Sequence, residues 1–260
     1  MKTRPIVIKI GGSTFGSGDT TVQDLVTLQK QGMAIIVVHG GGALITQWLE
    51  CQKVSTRFVH GLRVTDAESL KVVTAVLSGL VNKELVSSLQ RAGARVVGIS
   101  GVDGCMVSAS IKKPELGFTG EVDSVDCSLL NTLLEGGFLT VVSPVSYFPA
   151  SGVGEPPMLN LNGDSVTGEI AIALGAEMVI FLTDVPGVKD ARGDFLKELK
   201  TQQAEALIEK GVALGGMEVK LKACIKVAQA GGKAYIVDGR KPHALQDGMR
   251  GKVDGTSVVK

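Results

Sequence analysis

Residues 34–42 read Ala-Ile-Ile-Val-Val-His-Gly-Gly-Gly, and an amphipathic pattern starts at Ala43. An apolar run without alternation is what a strand covered on both faces needs, and such strands belong to parallel sheets. The same design stands upstream as Ile6-Val7-Ile8-Lys9-Ile10-Gly11-Gly12-Ser13. Further β-branched runs at 96–99, 139–142, 179–182 and 234–237 read as strands. Helical periodicity fills the intervals at 22–31, 43–52, 66–91 with a break near Gly79, 129–135, 164–174, 201–210 and 217–230. Strands and helices in alternation predict an α/β fold, a three-layer αβα sandwich on a mainly parallel, open sheet.

One stretch departs from the alternation. Segments 105–111 and 118–125 flank Lys112-Lys113-Pro114-Glu115-Leu116-Gly117 and predict a hairpin inserted after the third parallel strand. A Gly/Pro-rich loop occupies 151–157. A soft boundary near 160–175 divides the chain into lobes 1–165 and 166–260 that share one sheet.

The chain has 260 residues, 44% hydrophobic and 20% charged, which suits one or two globular domains and argues against whole-chain disorder. A net charge of +1 gives no basic surplus for a polyanion, and one Trp, two Tyr and seven Phe give little for base stacking, so nucleic acid is a poor partner. Glycine is over-represented at 34 residues, and glycine turns are able to hold phosphates. Cys51, Cys105, Cys127 and Cys224 form no Cys-x-x-Cys pair, and His39, His60 and His243 supply no zinc spacing. Pro5 and Lys9 interrupt any secretory apolar region, and the longest apolar run, 33–38, falls far short of the ~20 residues of a membrane span. These features predict a cytoplasmic protein with no membrane partner.

Six motifs bear chemistry, and each has a plain structural alternative. Lys9-Ile10-Gly11-Gly12-Ser13 and His39-Gly40-Gly41-Gly42 close the first two strands. In an open parallel sheet ligands bind beyond the carboxyl ends of the strands, where glycine admits a close approach and a helix N-terminus favours an anion; the alternative is a pair of tight βα turns. Asn160-Leu161-Asn162-Gly163-Asp164 offers two amides on one side of an extended segment and a carboxylate that opens a helix, or a simple cap. Leu182-Thr183-Asp184-Val185-Pro186-Gly187 suits a purine or ribose pocket, or an ordinary Pro-Gly turn. Lys220, inside Gly215-Gly216-Met217-Glu218-Val219-Lys220, and Arg63, inside Gly61-Leu62-Arg63-Val64-Thr65, are otherwise solvated cations. Neither the G-x-x-x-x-G-K-[ST] phosphate loop nor a complete G-x-G-x-x-G is present.

Taken in order, these motifs together with Val81-Asn82-Lys83 resemble the amino-acid kinase family, in its branch that phosphorylates N-acetyl-L-glutamate. The resemblance runs from Lys9 to Asp254-Gly255-Thr256. It implies ATP-dependent phosphorylation of a side-chain carboxylate, giving an acyl phosphate for arginine biosynthesis. By the same resemblance Lys9 and Lys220 neutralise phosphoryl oxygens, and Asp164 holds the two lysines. Gly41, Gly42, Arg63, Asn160 and Asn162 bind the amino acid. Gly11, Gly12, Ser13, Thr183, Asp184, Val185, Pro186, Gly187, Val212, Ala213, Leu214 and Met217 bind ATP. Mg²⁺ rides on the ATP phosphates, so no protein metal site is implied. A carboxylate, with a reference pKa of about 4.3, is already an ionised nucleophile, and no general base is required.

Some residues depart from that branch. Gly163 replaces a common alanine, and Phe118-Thr119-Gly120, Leu80-Val81-Asn82-Lys83 and Ser100-Gly101-Val102-Asp103-Gly104 look like kinases acting on carrier-protein-linked aminoadipate. Gly42 and the segment 61–65 favour N-acetylglutamate, and the +1 charge shows no basic docking face. A catalytically silent nucleotide or amino-acid sensor is the alternative from another class. Arginine-inhibited members carry an additional N-terminal helix; a first strand starting near Pro5 predicts a homodimer insensitive to arginine, with contacts on the apolar face of 70–85.

Overall fold

The computed structural model describes residues 4–11, 20–59, 61–250 and 254–260. Strand β1 (Ile6–Ile10) is followed by α1 (Thr21–Lys30), β2 (Ile35–His39) and α2 (Gly42–Cys51). A short ribbon of β3 (Phe58–Val59) and β4 (Leu62–Arg63) precedes α3 (Ala67–Thr74), a π-helical segment (Ala75–Val81) and α4 (Asn82–Arg91). Next come β5 (Val96–Gly101), β6 (Val107–Ile111), β7 (Gly120–Val125), α5 (Ser128–Glu135), β8 (Leu139–Tyr147), β9 (Met158–Asn160) and α6 (Gly163–Ala173). The remainder comprises β10 (Met178–Thr183), β11 (Val188–Lys189), β12 (Phe195–Leu196), β13 (Glu198–Lys200), α7 (Thr201–Glu209), α8 (Gly216–Gln229), β14 (Lys233–Asp238), α9 (Ala244–Met249) and β15 (Gly255–Val259).

A single 11-stranded sheet has the order β13-β15-β14-β10-β1-β2-β8-β6-β7, with β5 and β9 also paired to β8. Its centre is parallel from β14 through β10, β1 and β2 to β8, as the unalternating apolar runs predict. Antiparallel pairs appear toward the margins, β14 with β15, β6 with β7 and β8 with β9. The β6–β7 hairpin is present, shorter than expected because Asp103–Cys105 coils into a 3₁₀ turn.

The strand period of two sorts the side chains between the faces. Ile6, Ile8 and Ile10 of β1 pack with Leu25, Leu85, Leu89 and Leu245 of α1, α4 and α9. Val7, with Val38 and Phe181 of the neighbouring strands, faces Val166, Ile170 and Leu221 of α6 and α8. Lys9 therefore projects toward α6 and α8, while His39 projects toward α4. That parity places the chemistry.

One expectation changes here. The helix does not break at Gly79: residues 67–91 form one continuous helix whose middle widens into a π segment. Leu70, Val73, Val76, Leu77, Leu85 and Leu89 are buried on either side of the glycine, and that packing outweighs the roughly 1 kcal/mol helix penalty of Gly. This helix is also long and apolar enough to cross a membrane by length and composition, although no single run of sequence shows it. Its buried leucines and valines, and Asn82 bonded within the fold, make it a core helix.

Candidate active site

Three elements bring their charges to one point. Lys9 ends β1, Asp164 is the second residue of α6, and Lys220 lies one turn into α8. Lys9 Nζ is 3.1 Å from Asp164 Oδ1, and Lys220 Nζ donates to Oδ2 at 2.8 Å. All three side chains are nearly enclosed, at 12%, 9% and 7% exposure for Lys9, Lys220 and Asp164. Burial alone would raise the Asp164 pKa, but the two ammonium groups hold it below the ordinary carboxylate value. Burial lowers Lys9 from its ordinary value, against the pull of Asp164. The Lys220 ammonium also sits 5.7 Å from the centre of the Phe181 ring. Two cations on one anion leave a net positive pole in a dry site, which suits a phosphoryl group.

The glycine turn after β2 faces the same space. Helix α2 has no side-chain cap and no acidic residue in its first turn, so its N-terminal amides are open to an anion. Behind the turn, His39 is fully buried; its Nδ1 lies 2.9 Å from Gly40 O and its Nε2 lies 3.3 Å from Asn82 Nδ2. Burial pushes the imidazole down to about 4, so it is neutral at pH 7. Asn82 also donates to Val141 O and Ile99 O, and Lys83 donates to Asn82 Oδ1.

Lys9, Gly40, Gly41, Gly42, Arg63, Thr119, Asn160, Asn162 and Asp164 line one cavity of about 190 Å³. Arg63 is buried in its wall. Its guanidinium donates to Gly42 O at 3.0 Å and Thr46 Oγ1 at 2.8 Å, and lies over the Phe58 ring. Thr119 donates to the Arg63 carbonyl and pairs with Thr65, whose hydroxyl accepts from Asn160 Nδ2 at 3.0 Å. A larger groove of about 400 Å³ on the far side of Leu62 contains Lys112, Lys113, Lys222 and Lys226 but none of the three central charges.

Along the carboxyl ends of β1 and β10, Gly11 N–H donates to Leu182 O, and Thr183 bonds Asp184. The turn through Val185, Pro186 and Gly187 is tight. A Cβ at Gly187 would lie 2.7 Å from Thr256 Oγ1. Before α8, Val212 and Ala213 tie back to Leu207 O, Met217 packs on the core, and Leu214 is 67% exposed.

The geometry sorts the sequence expectations. Lys9, Asp164 and Lys220 come together, and Lys220 is not a solvated cation. Asp164 is not the cap: α6 opens at Gly163, and Asn162 Oδ1 accepts from the backbone N–H of Asp164 and Ser165. Asn162 thus borders the cavity with its carbonyl already engaged, because an N-cap oxygen satisfies helix amides first. Gly12 and Ser13 lie outside the described residues. Sequence reasoning missed Thr46, Thr65 and Phe58 around Arg63, and the buried Asp238, which Arg240 grips in a bidentate pair at 2.8 Å through both contacts. Asp238 ends a central parallel strand, and that position was the signal available.

A profile of the amino acid kinase family matches residues 4–238. An acetylglutamate kinase of Dehalococcoides mccartyi is 44% identical over 98% of this chain and 94% of its own length. The crystal structure of smu.665 from Streptococcus mutans UA159 covers 98% of both chains at 28% identity and a TM-score of 0.83. Carbamate kinase from Giardia lamblia, bound to AMP-PNP, shares the fold at 18% identity and a TM-score of 0.73. Motif order, sheet topology and these likenesses agree: the chain belongs to the amino acid kinase family.

Proposed function

We propose that the protein transfers the γ-phosphoryl group of ATP to the side-chain carboxylate of N-acetyl-L-glutamate, giving an acyl phosphate for arginine biosynthesis. The observation that carries this reading is the buried Lys9–Asp164–Lys220 group at the mouth of a cavity lined by Gly41, Gly42 and Arg63. Relatives at 42–44% identity over nearly the whole chain bear the name acetylglutamate kinase, which supports the choice of acceptor.

Two anions must meet in the reaction, so the task is positioning and charge neutralisation rather than proton removal. Lys9 and Lys220 flank the transferring phosphoryl group, and Asp164 keeps them apart and charged. The amides of Gly41 and Gly42 face the reacting carboxylate and phosphoryl oxygens. Arg63 pairs with the α-carboxylate, and Asn160 borders the acetylated amide. Gly11, the turn 183–187 and residues 212–214 with Met217 receive the nucleotide, which assigns the amino acid to lobe 1–165 and ATP mainly to lobe 166–260, with Gly11 contributed by the first lobe. Among the described residues no cluster of acidic, His or Cys side chains suits a metal, and both Asp164 oxygens face lysines. A Mg²⁺ ion carried on the phosphates would offset their charge.

We also assign a cytoplasmic homodimer; the apolar face of 70–85 expected at its contact is buried in the core through Leu70, Val73, Val76, Leu77 and Leu85, so the contact moves to Ala75, Gly79 and Leu80 on the outer face of the same helix. The test is ATP turnover with hydroxylamine, which traps acyl phosphate as hydroxamate. Hydroxamate from N-acetyl-L-glutamate, and not from glutamate, aspartate or N-acetyl-aminoadipate, is the expected result. Silence on all four overturns the reading.

A further inference from the structure

His39 is buried against the glycine turn, yet the proposed transfer gives it no role. We propose that His39, held by Asn82, is a positioning residue: as the Nδ1–H tautomer it anchors the Gly40 carbonyl and thereby aims the Gly41 N–H into the acceptor cavity. This rests on the functional reading above and adds to it a residue and a tautomer.

The hydrogen-bond partners leave one assignment. A carbonyl only accepts, so the ring nitrogen 2.9 Å from Gly40 O carries the proton. Asn82 Oδ1 accepts from Lys83 Nζ, which turns the amide NH₂ toward Val141 O, Ile99 O and His39 Nε2; its two hydrogens are shared among these three, and it offers His39 Nε2 no acceptor. Nε2 is therefore the acceptor, and each ring nitrogen has a single task. A trans peptide sets its C=O and N–H in opposite directions, and no described peptide is cis. With Gly40 O drawn back onto the imidazole, the Gly41 N–H points the other way, and Gly41 lines the cavity.

Packing behind the turn enforces this arrangement. A Cβ at Gly41 would lie 2.7 Å from Leu77 Cδ2 and 3.4 Å from Val81 Cγ2. A Cβ at Gly98 would lie 2.1 Å from Asn82 Oδ1. Leu77 and Val81 belong to the π segment and Asn82 follows it, so the widened turn sets all three against the back of the glycines. A flipped Gly40–Gly41 peptide would present a carbonyl to an incoming anion where a donor is needed.

The test compares two isosteres. His39→Asn puts an amide nitrogen near the position of Nδ1 and keeps a donor for Gly40 O; His39→Gln reaches toward Asn82 and loses that donor. Relative to the unsubstituted enzyme, His39→Asn is expected to stay within ~5-fold in kcat, and His39→Gln to lose ~10–100-fold, with the KM for ATP nearly unchanged. Equal losses in the two variants, or full turnover in His39→Gln, overturn the proposal. A thermal melt of each checks that it is folded. The tautomer is read independently by NMR of the unsubstituted protein with ¹⁵N-labelled histidine. A protonated Nδ1 and bare Nε2 at pH 7 are expected, and the reverse overturns the proposal even if neither variant folds. An unsubstituted enzyme that yields no hydroxamate defeats the functional reading, and the tautomer measurement still decides the geometry.

Discussion

Around the proposed acceptor cavity, Lys9, Asp164, Arg63 and Asn160 are each tied to another polar group of the fold, whereas along the proposed nucleotide rim Asp184 and Leu214 stand at the surface. The first region has met the cost of orienting its charges during folding. In the second, the side chains remain exposed. Preorganised charges act most strongly on the transition state, so their loss falls on kcat. Surface contacts hold substrate and transition state alike, so their loss falls on KM.

The largest expected effect tests the buried charges. Lys9→Ala and Lys220→Ala should each lower kcat by at least ~10²–10³ in the hydroxamate assay while the protein stays folded. Near-normal kcat with only a raised KM would break the comparison outright. Arg63→Lys comes next. It replaces a fork that reaches Gly42 O and Thr46 by a point charge, and should raise the KM for the amino acid ~10–100-fold with a smaller change in kcat.

The pH profile gives a graded test. Burial lowers Lys9 from 10.5, so folding favours its neutral form and the essential charge is lost at lower pH than for an exposed lysine. The kcat/KM should fall on the alkaline side before pH 10.5, toward ~tenfold per unit. A profile flat through 10.5 would show that Lys9 is not needed charged. Asp164 has the opposite sign: its lowered pKa gives stability that is present above 3.8 and lost as pH falls through the folded value. An acid melt of Asp164→Asn should lack that component. The smallest effect belongs to the rim. Leu214→Ala, at 67% exposure, should shift the KM for ATP only ~2–5-fold and leave the amino-acid KM alone. A large kcat loss there would erase the distinction between the two ends.

Much of the fold was legible because period and punctuation are local. Residues 34–42 carry their own strand, turn and helix start, and the central parallel strands follow from runs of the same kind. The margins were less legible. β9, β13 and β15 are short or partly polar, and their pairing depends on which edge is left uncovered. Gly79 read as a stop because glycine weakens an isolated helix, yet buried neighbours carry this helix through it.

For the site, the inventory was local: which lysines, which glycines, which arginine, and an order of motifs specific enough to identify a family could all be read along the chain. Tertiary structure alone decided their employment. Lys220 becomes a buried partner of Asp164 across 56 residues. Asn162 serves helix α6, and Thr65, Thr119 and Asn160 bond one another behind Arg63. The physical reason is the same in each case. A side chain's chemistry is fixed by its own atoms, but which of its donors, acceptors and charges remain for a substrate is settled only after packing has matched the rest.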